Sequence, residues 1–212
     1  MKGRIIIRSA NPHDTEKMLE IYTPYILNST VSFETEVPLK EEFQVRVLHY
    51  QEKLPWLVCN IDNNLAGYAY ATDHRQRKAY EVTKELSVYV HNGYRQYGVA
   101  TGLYTALIEI LRAQGVSNVL AGITLPNSES VGFHESMGFK PVGVYHYVGY
   151  KFGKFQDTGW WELLLGAKYK NPLELVDIKE IINSQSWKDA IEKGMSKIRK
   201  KNDINLRDDE EI

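Results

Sequence analysis

The chain has 212 residues, with 26 basic and 27 acidic side chains and a net charge of −1. That balance gives no push toward nucleic acid or a membrane surface. A single cysteine, Cys59, excludes an internal disulfide framework. No run reaches the ~18 apolar residues of a membrane span, and the start lacks an apolar leader segment, so a cytoplasmic location is expected.

"RIIIRSA" reads as the first strand. Asn11 then suits a helix cap, with Pro12 at the first helical position, and Met18, Leu19, Tyr22, Tyr25 and Ile26 keep helical spacing. Pro24 is expected to end or kink that helix. "NSTVSFETEVP" is a polar loop, and "LKEEFQVRVLHYQ" a second amphipathic helix. "PWLVCNI" and "LAGYAYATD" form a hairpin around "DNN". "VTKELSVYV" is a further strand, followed by a helix that runs to about Gln114 and stops at Gly115. "SNVLAGITL" is a strand, "PNSESVGFHESMG" a short helix stopped at Gly138, and "FKPVGVYHYVGYKF" and "WWELLL" complete the sheet. The order β-α-α-β-β-β-α-β-α-β-β predicts an α/β fold with a mixed central sheet flanked by helices.

After Gly166 the character changes, which divides the chain into a domain over 1–166 and an extension over 167–212. The extension is highly charged and helix-prone. Leu173, Leu175, Ile178, Ile181 and Ile182, then Trp187, Ile191 and Met195, predict one or two amphipathic helices before a disordered acidic end. Packing on the main domain or a sister subunit is the simple reading; a separate binding role is the other. The 14 tyrosines and 4 tryptophans concentrate in "VYHYVGYKFGKFQDTGWWELLL", which fits core, dimer face or ligand wall equally.

Two features carry chemistry. In "TKELSVYV", alternation puts Thr83, Glu85, Ser87 and Tyr89 on one polar face, opposite Leu86, Val88 and Val90. Glu85 is the acid of that face, either a solvated strand glutamate or a base. The turn "YRQYGVATG" then meets a long apolar helix. Free N–H groups at a glycine turn and helix start favour an anion, Gly98 and Ala100 keep side chains short there, and Arg95 adds positive charge. G-x-G-x-x-G and G-K-[ST] spacings are absent, which excludes Rossmann and Walker phosphate sites.

With its R-x-x-G-x-A core, "VYVHNGYRQYGVATGLYTALI" resembles the acetyl-CoA site of the GNAT superfamily of N-acetyltransferases. "GITLPNSESVGFHESMGF" resembles that superfamily's second motif. "STVSFET", "PWLV", "RKAY", "VTKELSVYV", "HESMGF" and "VGYKFGKFQDTGWWEL" fall in the order of the phosphinothricin acetyltransferase family. The resemblance covers roughly residues 4–166, implies the GNAT acyl-CoA N-acyltransferase fold, and says nothing of the extension.

It implies acetyl-CoA as co-substrate, with Val88, Tyr89 and Val90 on the pantetheine arm and Arg95, Gln96, Tyr97, Gly98, Val99, Ala100 and Thr101 around the pyrophosphate. Asn127 would touch the cofactor, or simply cap a helix. Glu85 becomes the general base of a direct transfer, because an ammonium must lose a proton before it attacks. His134 stands where many GNAT enzymes have a tyrosine, as an acid, a cofactor contact or a structural histidine; Tyr104 is read as packing. Phe33, Arg77 and Tyr80 fall near the acceptor, though "RKAY" could be a mobile basic loop. The implied acceptor is the α-amine of a small amino acid such as phosphinothricin, methionine sulfoximine or methionine sulfone, in a homodimer without metal. The alternatives are a peptide N-terminus or other amine as acceptor, or a non-catalytic acyl-CoA-binding regulator.

Overall fold

The structure, a computed structural model, describes residues 4–166 and 174–199. Strand β1 (Ile5–Ser9) leads through a 3-10 turn to helix α1 (Thr15–Leu27) and then α2 (Lys40–Gln51). The turn is capped reciprocally by Asn11 and Asp14, with Pro12 just inside it. Strands β2 (Trp56–Ile61), β3 (Asn64–Asp73) and β4 (Thr83–Val90) follow, then α3 (Val99–Gln114), β5 (Asn118–Leu125), α4 (Ser128–Ser136), β6 (Lys140–Lys151) and β7 (Lys154–Leu164). The extension adds α5 (Ile178–Ile181) and α6 (Gln185–Met195). The predicted order holds, and its acidic end lies outside the described residues, as does Leu173.

Among the described residues seven strands form one sheet in the order β1-β2-β3-β4-β5-β7-β6. Every neighbouring pair is antiparallel except β4 with β5, which run parallel. The β2–β3 hairpin turns on Asp62 and Asn63, both at positive φ (50° and 67°), the primed geometry that matches strand twist.

Period-two alternation sorts the strands onto two cores. Leu57, Cys59, Ala69 and Ala71 face α3, where Leu103, Leu107, Ile110 and Leu111 are fully buried. Trp56, Val58, Tyr68 and Tyr70 face α1 and α2, with Met18, Ile26 and Phe43; the Trp56 and Tyr70 rings stack 3.9 Å apart. Small residues toward α3 let that helix sit close, and large aromatics fill the other side. Each fully buried large side chain stabilises the fold by about 1.5–3 kcal/mol.

Two sequence expectations are corrected. Pro24 does not end α1, which runs on to Leu27. It sits in the last turn, so its missing N–H removes one bond near an end that is about to fray. The face of β4 opposite Leu86 is not polar throughout: Tyr89 is buried among Tyr22, Tyr25 and Tyr68.

The extension packs on the outside of α3. Ile178, Ile181, Trp187 and Ala190 are buried there, and Lys193 pairs with Glu109 across the helices at 2.6 Å. The helices approach closest at two glycines. A Cβ on Gly194 would stand 2.6 Å from the Gly102 carbonyl oxygen, and one on Gly102 would stand 2.8 Å from that of Gly194.

Candidate active site

The β4–β5 ladder is short. It pairs Thr83 with Asn118, Lys84 with Val119 and Glu85 with Leu120, and then the strands part. The remainder of β4 keeps its bonds to β3 but has no strand partner on its other side among the described residues. The fork opens into a cavity of about 610 Å³ between β4, the first turn of α3 and α4, with Gly122 across from β4.

Leu86, Ser87, Val88, Tyr89 and Val90 line one wall. Because the Tyr89 ring is buried against Tyr22 and Tyr25, that residue offers backbone to the gap. The Tyr25 hydroxyl donates to the Val90 carbonyl at 2.8 Å, which fixes the end of the strand.

After β4 the chain turns through Asn92–Tyr94, where the His91 Nδ1 accepts from the Gly93 amide. Gln96 (φ 67°) and Gly98 (φ 78°) are both left-handed. Gly98 is the N-cap of α3 and carries no side chain to accept from the first-turn amides. The Gly102 amide bonds the Gly98 carbonyl, whereas Val99, Ala100 and Thr101 present helix-start N–H groups at the cavity. Arg95 and Gln96 share this wall. Tyr97 does not: its ring packs against Tyr94 and its carbonyl accepts from the Arg199 amide at 2.8 Å.

Asn127, His134 and Tyr104 close the far end. Asn127 caps α4, its side-chain oxygen accepting from the Ser130 amide, and still borders the cavity. His134 is 6% exposed. Its Nδ1 lies 2.8 Å from the Ser130 carbonyl, which can only accept, so Nδ1 carries the proton and Nε2 accepts from the Tyr104 hydroxyl at 3.2 Å. Burial pulls the imidazole pKa below its ordinary value, partly offset by the Ser130 bond. Burial likewise pushes the Tyr104 phenol up. The packing expected of Tyr104 is present, together with this polar contact.

Glu85 is the last residue of β4 paired with β5, at the fork and outside the cavity wall proper. One of its oxygens is 2.7 Å from His74 Nδ1, and the side chains are 32% and 18% exposed. The His74 ring lies 5.8 Å from both Tyr80 and Trp160, which builds a small aromatic box beside Glu85. Arg75, rather than Arg77, covers the Tyr80 ring, at 5.2 Å; Arg77 is exposed at the head of the turn Lys78–Tyr80. Phe33 lies against Gly149 of β6, where a Cβ would meet its ring at 2.4 Å.

His74, Lys197 and Arg199 are absent from the sequence reading. His74 is one basic residue in the loop "HRQRKAY" and only the turn of the chain brings it to Glu85. Lys197 and Arg199 belong to the extension and border the cavity next to Gly98. Cys59 is fully buried in β2, and its thiol is pushed up to about 12 by desolvation.

A sheet forked at its parallel pair, with an uncapped helix start facing the gap, defines a fold that opens its own backbone to an extended anionic ligand. Residues 7–160 match the family described as acetyltransferase (GNAT) domain. The phosphinothricin N-acetyltransferase of Streptomyces viridochromogenes is 38% identical over 156 residues, 74% of this chain and 85% of that one. The L-methionine sulfoximine/L-methionine sulfone acetyltransferase of Pseudomonas aeruginosa is 34% identical, over 78% and 98% of the two chains. A phosphinothricin acetyltransferase from Sinorhizobium meliloti, solved in complex with acetyl-CoA, superposes with a TM-score of 0.76 at 28% identity, covering 82% of this chain and 95% of that one. The chain belongs to the GNAT superfamily of N-acetyltransferases, in its phosphinothricin acetyltransferase family.

Proposed function

We propose that this enzyme transfers acetyl from acetyl-CoA to the α-amine of a small amino acid of the phosphinothricin, methionine sulfoximine or methionine sulfone kind. The observation that carries the reading is one cavity that joins the uncapped first turn of α3 to the length of β4 that has parted from β5. The residues fit the co-substrate: helix-start amides and Arg95 suit a pyrophosphate, and bare strand backbone suits the amides of an extended arm. Bound acetyl-CoA supplies a thioester carbonyl open to attack by an amine.

The chain's own residues supply the proton handling. Glu85 takes a proton from the acceptor ammonium, directly or through one water, while His74 holds one carboxylate oxygen and leaves the other free. On the leaving-group side, His134 and the Tyr104 hydroxyl form one polar pair in the cavity wall. Transfer is direct, since the only cysteine is buried with its pKa raised and is unsuited to carry an acyl group. The acceptor lies near Tyr80 and Arg77, with Phe33 as cover, and the β6–β7 hairpin pairs two copies into a homodimer.

A substrate panel read by free-thiol release tests this, run on the wild type and on Glu85→Gln. Phosphinothricin and methionine sulfone should be acetylated faster than ordinary amino acids or short peptides. Glu85→Gln should lower turnover by about 10²–10⁴-fold while acetyl-CoA still binds. Activity confined to peptides overturns the acceptor, undiminished turnover in Glu85→Gln overturns the base, and acetyl-CoA binding without any turnover points to a regulator.

A further inference from the structure

We infer that the segment after α6 completes the phosphate site: Lys197 and Arg199 bind the phosphates of the CoA moiety alongside Arg95. The inference rests on the acetyl-CoA reading above, and it concerns a part of the chain that lies beyond the family match over 7–160.

The segment is pinned to the phosphate loop by its backbone. The Arg199 amide donates to the Tyr97 carbonyl at 2.8 Å. The Lys197 carbonyl oxygen stands 2.4 Å from where a Cβ on Gly98 would be. Gly98 is therefore required twice, by its left-handed φ of 78° and by the chain that crosses it. Between the two cations, Ile198 is buried, and its side chain fills the space over Gly102. An apolar residue driven into the α3–α6 seam, with an exposed cation on each side, aims both cations along the loop surface rather than leaving them on a free tail.

Both cations border the same cavity as the helix-start amides. Among the described residues its wall holds Arg95, Lys197 and Arg199 against one carboxylate, Glu129. CoA brings a pyrophosphate and a 3′-phosphate, and a guanidinium takes two phosphate oxygens at once while an ammonium acts as a point charge. A surplus of cations beside uncapped amides suits that ligand and gives an ordinary neutral one no advantage.

Calorimetric titration of the full chain with CoA and with 3′-dephospho-CoA, each against the wild type and the double variant Lys197→Ala/Arg199→Ala, tests this without turnover. Both side chains are exposed, so the variant should keep the wild-type Tm. Its Kd for CoA should rise at least about tenfold at low salt, with the gap narrowing as salt is added. A loss seen with CoA alone assigns the pair to the 3′-phosphate; an equal loss with both ligands assigns it to the pyrophosphate, and either supports the inference. A wild type that binds CoA no better than the variant, or a variant that binds tighter because the segment merely covers the loop, overturns it. A wild type that binds neither CoA nor acetyl-CoA overturns the cofactor reading instead.

Discussion

His134 has both ring nitrogens engaged while neutral: Nδ1 donates to Ser130 and Nε2 accepts from Tyr104. Burial disfavours the charged ring, which is why its pKa falls below the ordinary imidazole value despite the Ser130 bond. Above about pH 6.5 folded and unfolded imidazoles are both neutral, and the contribution to stability is constant. As pH drops through that value the unfolded imidazole takes up a proton that the folded one resists, so the folded state loses ground. His134→Phe should cost about 1–3 kcal/mol near neutrality, because the buried Tyr104 hydroxyl loses its acceptor. The deficit should shrink toward about pH 5, since the variant has no such proton to resist. Urea unfolding of both proteins at the two pH values measures it; a deficit independent of pH would reject the buried neutral imidazole. In the sequence "GFHESMGF" this residue is indistinguishable from an exposed helical histidine, because its two partners come from the preceding turn of α4 and from α3.

At the level of elements, α3 and α6 meet where neither has a side chain. Gly194→Val would place a Cβ 2.6 Å from the Gly102 carbonyl and 2.8 Å from the Ala106 Cβ. Backbone cannot yield as a side chain can, so α6 must move outward, at about 1–3 kcal/mol. A lower Tm together with weaker CoA binding is the expected result; an unchanged Tm would show that the seam is not tight. The elements themselves were legible in the sequence, because period-two and helical spacing, Gly115, Gly138 and the Asp62–Asn63 turn are local signals. The seam was not. Gly102 reads as a helix-interior glycine that lowers helix stability by about 1 kcal/mol relative to alanine, with no local reason. Its reason is Gly194, far along the chain. The same limit hid His74, since a loop histidine and a strand glutamate become partners only when β3 and β4 pair.

At the scale of the molecule, the β6–β7 hairpin presents an apolar face. Tyr147 is 74% exposed and Phe155 63%, with Tyr150 and Phe152 beside them. Lys151 fastens this hairpin to the helical side of the sheet, its buried ammonium donating to the carbonyls of Ile26 and Ser32 at 2.7 Å each. A rigid apolar ribbon of this kind is what a two-fold interface uses. On the proposed homodimer, Phe155→Glu should convert a dimer to a monomer in light scattering after gel filtration, whereas a monomeric wild type would overturn that proposal.

The fork between β4 and β5 has one more consequence. Among the described residues the sheet consists of two leaves, β1 to β4 and β5 to β7, joined edge to edge by three residue pairs. A molecule lying in the fork takes the place of the missing strand contacts and rivets the leaves together. It binds only when both leaves stand, so saturation at about a hundred times its Kd adds about 2.7 kcal/mol against unfolding. With the acyl donor placed there as proposed, the enzyme's resistance to unfolding should rise and fall with the donor's supply.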